Sequence, residues 1–103
     1  AHAIQQGPMQ IGKIVGTVVS TKKDEKLEGL RLNLVKYVDV NGKPTGNFVI
    51  AVDSVGAGAG EIVLVASGSS ARLTKTTEGK PVDAVIMAIV DILEIDGEKK
   101  YVK

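Results

Sequence analysis

The chain has 103 residues, 44% of them hydrophobic and 24% charged, with a formal net charge of +1 and no cysteine. That length suits one domain burying roughly two-thirds of its unfolded surface. The near-neutral charge gives no electrostatic reason to expect nucleic acid or a membrane as partner, and the lack of cysteine excludes a disulfide framework. The apolar residues are mainly Val, Ile, Leu and Ala, with Tyr37, Phe48 and Tyr101 the only aromatics; such β-branched content favours strands. No apolar run approaches the ~20 residues of a membrane span and no signal-type leader is visible, so the expected location is the cytoplasm.

Residues 1–8 (AHAIQQGP) show no apolar period and end in a Gly-Pro pair before Met9, and are read as an expression-tag remnant. The only histidine, His2, falls inside it. Without a second histidine or any cysteine there is no recognisable metal-ligand set. Residues 9–103 are then a single domain, with no internal repeat or linker.

Residues 10–21 (QIGKIVGTVVST) form a β-branched run, in which Gly16 predicts a bulge or bend. The charged stretch 22–29 (KKDEKLEG) is an exposed loop closed by glycine. Leu30, Leu32 and Leu34 alternate with Arg31 and Asn33, predicting a half-buried strand that runs to Val40 with the leucines on the buried face. Asn41-Gly42-Lys43-Pro44 is a turn, with Pro44 expected to stop regular pairing. A strand over 47–55 follows.

The glycine-alanine stretch Gly56-Ala57-Gly58-Ala59-Gly60 separates that strand from a second apolar run at 61–66. The spacing Gly56-x-Gly58-x-Gly60 loosely matches a dinucleotide fingerprint, in which glycines admit a pyrophosphate to a helix N-terminus. A strand pattern, not a helix, follows the glycines. They are therefore read as a strand-to-strand hinge that permits close approach of backbones, including those of neighbouring subunits.

Gly68-Ser69-Ser70-Ala71-Arg72 is a small-residue turn, one serine capping a short helical turn through Ala71 and Arg72. Neither serine is a credible nucleophile, because no histidine outside residues 1–8 can act as its base. Residues 73–80 form a polar loop.

Residues 82–93 fit two periods: Val82, Val85, Ile86, Ile89, Val90 and Leu93 recur at helical spacing, while 84–90 is also a β-rich run. A strand over 84–95, bent near Asp91, is chosen because the earlier strands alone would leave an open sheet edge. Asp96-Gly97 turns the chain back into an edge strand at 99–102.

The acidic residues give no catalytic pair. Asp24, Glu25, Asp53, Glu61, Asp83, Asp91, Glu94 and Asp96 lie in loops, at turns or at the borders of apolar runs, and solvated faces and turn caps account for them more simply than a glycosidase pair. The residues thus describe an all-β protein: a small closed barrel of five to six strands with one short helical turn, and no catalytic, cofactor-binding or metal site.

Several blocks in register carry a family resemblance: GKIVGTVV at 12–19, LEGL at 27–30, AVDxVGAGxGExVLV at 51–65, GSSAR at 68–72 and PVDAxIxAIVD at 81–91. With these the sequence resembles the EutN/CcmL family of bacterial microcompartment vertex proteins, from Met9 to about Tyr101. The resemblance implies a β-barrel of oligonucleotide-binding-fold topology, a cyclic homopentamer capping the five-fold corners of a polyhedral shell, hexameric shell proteins as partners and a cytoplasmic location within that shell. It implies no enzyme activity and no cofactor. Gly56, Gly58, Gly60, Ser69, Ser70 and Arg72 become the candidate assembly and pore-region residues. The alternative on the same fold, a single-strand nucleic-acid binding module, needs aromatic platforms and a basic groove, which three aromatics and a charge of +1 do not favour.

Overall fold

β1 (Met9–Val18), β2 (Leu32–Val38), β3 (Pro44–Asp53), β4 (Ile62–Ser67) and β5 (Ala84–Ile89) close into a barrel in the order β1-β2-β3-β5-β4. A two-stranded hairpin of β6 (Ile92–Ile95) and β7 (Glu98–Val102) stands outside it. The structure, a computed structural model, describes residues 9–20, 24–27, 29–68, 71 and 83–103. The expected tag remnant, the polar loop 73–80, and Ser69, Ser70 and Arg72 with the helical turn expected there lie outside the described residues. Closure comes from a short parallel contact, Val52 beside Val85 and Asp53 beside Ile86; the other barrel pairings are antiparallel. Strand number and closure agree with the expected fold, and 84–95 is strand, not helix, interrupted at Val90 and Asp91.

The expected bend in β1 is a bulge. Ile14 pairs with Val35 and Gly16 with Leu34, so Val15 is the extra residue, and an extra residue increases local twist. Gly12 lies close against β2: a Cβ there would collide with the Val35 side chain and lie 3.4 Å from the Lys36 carbonyl.

Ile14, Val35, Ala51, Val63, Val65, Ala84 and Ile86 fill the interior, all nearly inaccessible. Fully burying a Val or Ile side chain contributes about 1.5–3 kcal/mol, which makes this layer the main source of barrel stability. A second cluster lies on the outside of one end, where Leu30, Val52, Ala66, Ala71 and Val85 pack with Leu27 and Leu32.

Two expectations are corrected. In β2 the inward residues are Asn33 and Val35, while Leu32 and Leu34 are only half-buried and face outward. Cross-strand pairing of Asn33 with both Thr17 and Ala51 sets this register, and the leucine at the strand entrance is covered by the outer cluster instead. Pro44 does not stop pairing; it begins β3 opposite Val38. Proline at the first position of a strand removes a donor where none is required.

The charged loop also holds a feature that its composition concealed. Glu25–Leu27 form a 3-10 turn, with the Lys26 amide donating to Asp24 Oδ1 at 2.8 Å, and the turn delivers Leu27 and Leu30 to the outer cluster.

Candidate assembly site

The glycine hinge links β3 to β4 across one end of the barrel. Its second residue, Ala57, is fully buried and belongs to the interior cluster with Ile14, Val63 and Ile86, so the hinge is also a plug. Gly56 and Gly60 hold φ of +76° and +89°, the left-handed region that costs a residue with a Cβ roughly 1–2 kcal/mol. Gly58 has an ordinary φ, and a Cβ on it would meet only Glu61 Oε1, at 3.7 Å.

Two carboxylates set the hinge conformation. Asp53, at the end of β3, has a buried side chain whose Oδ1 accepts the backbone N–H groups of Val55 at 2.9 Å, Gly56 at 2.9 Å and Ala57 at 3.3 Å. Its Oδ2 lies 3.8 Å from Arg31 Nε, close enough for charge attraction but too long for a hydrogen bond. At the other end Glu61 Oε1 accepts the Gly58 N–H at 2.5 Å. The Gly60 amide donates to the Ile14 carbonyl at 2.8 Å and the Ile14 amide to the Glu61 carbonyl at 3.0 Å, fastening the hinge to β1. Ser54 Oγ donates to the Ile86 carbonyl at 2.6 Å, fastening its start to β5.

Glu61 also reaches the hairpin. Its Oε2 pairs with Lys103 Nζ at 2.8 Å, while the Lys103 amide donates to the Asp91 carbonyl at 2.8 Å. The hydrogen bond from Lys103, then that from the Gly58 amide, holds the Glu61 carboxyl below its usual range. The reciprocal hydrogen bond raises the Lys103 ammonium.

This arrangement bears directly on chemistry. A phosphate cradle needs unpaired amides converging on the ligand, whereas the amides of Val55, Gly56, Ala57, Gly58 and Gly60 are already bonded to the protein's own oxygens. No helix follows the glycines, and among the described residues no group of His, Cys, Asp or Glu could hold a metal ion. Of the sequence candidates, Gly56, Gly58 and Gly60 come together on this loop. Asp53 and Glu61 organise it, a more specific role than the turn caps or solvated positions expected of them from sequence. Their spacing carries a more specific signal: an aspartate two to four residues before the amides of 55–57, and a glutamate three residues after Gly58, are both local acceptor patterns.

The site is thus a small closed barrel whose β3–β4 loop is satisfied by the protein's own oxygens. The family model described as "Ethanolamine utilisation protein EutN/carboxysome" matches residues 9–91, and the chain belongs to this EutN/CcmL family. The carboxysome shell vertex protein CcmL of Gloeobacter violaceus is 41% identical over 95 residues, covering 92% of this chain and 95% of the relative. Among solved structures, CcmL of Nostoc sp. PCC 7120 superposes with a TM-score of 0.88 at 44% identity, over 91% of this chain and 99% of that one. GrpN from Rhodospirillum rubrum, a pentameric microcompartment shell protein, superposes with a TM-score of 0.76 at 44% identity over 84% and 98%.

Proposed function

We propose that the chain is a non-enzymatic shell subunit that assembles as a cyclic homopentamer and caps five-fold vertices of a bacterial microcompartment, alongside hexameric shell tiles in the cytoplasm. The observation that carries this reading is the 44% identity and TM-score of 0.76 to a pentameric shell protein nearly all of whose chain is matched. The vertex designation of the CcmL relative supports it. Physically, hexagonal tiles form flat layers and closure requires five-fold units, which a head-to-tail contact supplies when its rotation closes. The self-satisfied glycine hinge presents small residues at the surface, suited to close backbone packing between neighbours.

Light scattering tests the reading: the expected particle has about five times the 10.8 kDa chain mass. A monomer that retards a single-stranded oligonucleotide in a gel overturns it in favour of the nucleic-acid module.

A further inference from the structure

The turn between β2 and β3 carries chemistry that a shell role does not use. Of the three asparagines, Asn33, Asn41 and Asn47, only Asn41 precedes a glycine. Asparagine is thermolabile: the backbone nitrogen of the next residue attacks its side-chain carbonyl, and a glycine there puts no Cβ in the way. Asn41 and Gly42 are both exposed, and no atom lies within 4 Å of the place a Cβ on Gly42 would take. The reacting pair is therefore open to the base and the water that the reaction needs. Asn33, by contrast, is 1% exposed inside the barrel and precedes Leu34, and Asn47 precedes Phe48 within β3.

The fold holds the pair back through Asp39. Its Oδ1 accepts the amides of Asn41 at 2.8 Å and Lys43 at 3.0 Å. Its carbonyl accepts the Gly42 amide at 2.9 Å, and its own amide donates to the Lys43 carbonyl at 2.8 Å. These bonds close the three-residue loop 40–42, in which Gly42, at φ +84°, takes the left-handed position. Two of their effects bear on the nucleophile. An N–H already given to the Asp39 carbonyl is harder to deprotonate, and the nearby carboxylate opposes the negative charge that deprotonation creates. The closed turn also directs the Gly42 N–H at Asp39, so a near-attack geometry requires local opening of the loop first.

We propose that Asn41 is a self-modification site, converted to aspartate or isoaspartate without an enzyme, and that Asp39 sets the rate by holding the turn closed. The Gly42 nitrogen gives its proton to a solvent base and forms a bond to Asn41 Cγ. The bond from Cγ to Nδ2 breaks, and the amide nitrogen leaves as ammonia after taking a proton from water. Water then opens the five-membered imide at either carbonyl, so that the net change is one water consumed and one ammonia released. Opening at the main-chain carbonyl routes the chain through the side chain and yields isoaspartate. Ammonia is lost to solvent, and the change accumulates with the age of the subunit.

The product alters the turn that it forms in. Isoaspartate adds a carbon to the main chain between two amides that Asp39 holds, and either product sets a second carboxylate beside that of Asp39. The turn borders the cleft where Leu93, Lys100 and Tyr101 of the hairpin meet the barrel, so the hairpin contact shares the change. None of this depends on the oligomeric state.

Peptide mass spectrometry after incubation in mildly alkaline buffer tests the proposal on the folded chain, the chain unfolded in urea, and the variants Asp39→Ala and Asp39→Ser. In the folded chain, acid is expected to appear at position 41 while Asn33 and Asn47 remain amides. Asp39→Ala should speed the folded chain by about tenfold, the factor that a hydrogen bond to a charged acceptor carries. Asp39→Ser, which keeps a weaker acceptor in the same place, should fall between, and it carries the comparison if circular dichroism shows Asp39→Ala to be unfolded. In urea all three chains should react fastest and at one rate. Equal rates for the folded unsubstituted and substituted chains overturn the control by Asp39. An Asn41 that converts in urea and not in the fold, or conversion spread equally over the three asparagines, overturns the site.

Discussion

Asp53 Oδ1 lies 2.9 Å from the amide nitrogen of Gly56, and through this contact a carboxylate buried at the end of β3 holds the glycine hinge in place. The same oxygen serves the amides on either side of Gly56, one of which, on Ala57, is itself buried. Replacing Asp53 by alanine leaves those donors without an acceptor.

Asp53→Ala is accordingly expected to lower the free energy of unfolding by about 2 kcal/mol, within the 1–3 kcal/mol that a stranded buried donor costs. Asp53→Asn keeps an oxygen in position and should lose less than half of that. Urea denaturation of both variants checks the order, and equal losses would assign the effect to the charge facing Arg31 instead.

Gly12 tests packing within the subunit, and Gly58, a proposed assembly residue, tests packing between subunits. Gly12→Ala drives a methyl into Val35 and should destabilise the barrel by about 1–3 kcal/mol, as overpacking does. Gly58→Ala meets only an ordinary contact and should leave the unfolding midpoint nearly unchanged. Gly58→Val should weaken the ring while the subunit stays folded, as sedimentation at dilution would record; rings as robust as the unsubstituted ones would remove Gly58 from the interface. Arg72→Glu is expected to weaken the ring in the same assay.

The tie between Glu61 and Lys103 has a defined pH window. Glu61 sits below its ordinary value of 4.5 in the fold because of the Lys103 hydrogen bond first and the Gly58 amide second. Its contribution is therefore present above 4.5 and lost as the pH falls through the lowered value. Lys103 is raised above 10.5 by Glu61, so its contribution is present below 10.5 and lost as the pH rises through the raised value. NMR titration should find the Glu61 carboxyl depressed, and Lys103→Ala should move it back toward 4.5. No movement would mean that the two groups do not pair in solution.

Asn33 is 1% exposed, and neither end of its amide meets a hydrogen-bonding partner among the described residues. Removing a buried polar group in this condition relieves a desolvation cost, so Asn33→Val is expected to raise stability by about 1 kcal/mol. Thermal unfolding decides it; a loss of comparable size would show that the amide is satisfied.

Much of the barrel was legible because its signals are local. β-branched runs broken by Gly16, by Asn41-Gly42 and by Asp96-Gly97 mark strands and turns through backbone preference alone, and the structure holds Asp96 and Gly97 at φ of +51° and +79°, as a two-residue hairpin turn requires. The face of β2 was read wrongly from equally local information. Alternation says that two faces differ, but which one turns inward is decided by neighbouring strands, and here those neighbours place Asn33 inside and Leu34 outside. The hinge was legible as a connection, while the burial of Ala57 and the carboxylates that shape the loop became apparent only once the barrel end was assembled.

The all-β class, the strand-to-strand nature of the glycine stretch and the family are thus readable along the chain, because composition, turn chemistry and motif spacing are local. Which side of each strand is core, where Val15 is displaced, and which apolar residues stay uncovered on the finished surface depend on contacts between strands. Register and closure join residues far apart in the chain, and a shift of one residue in pairing exchanges the inside of a strand with its outside.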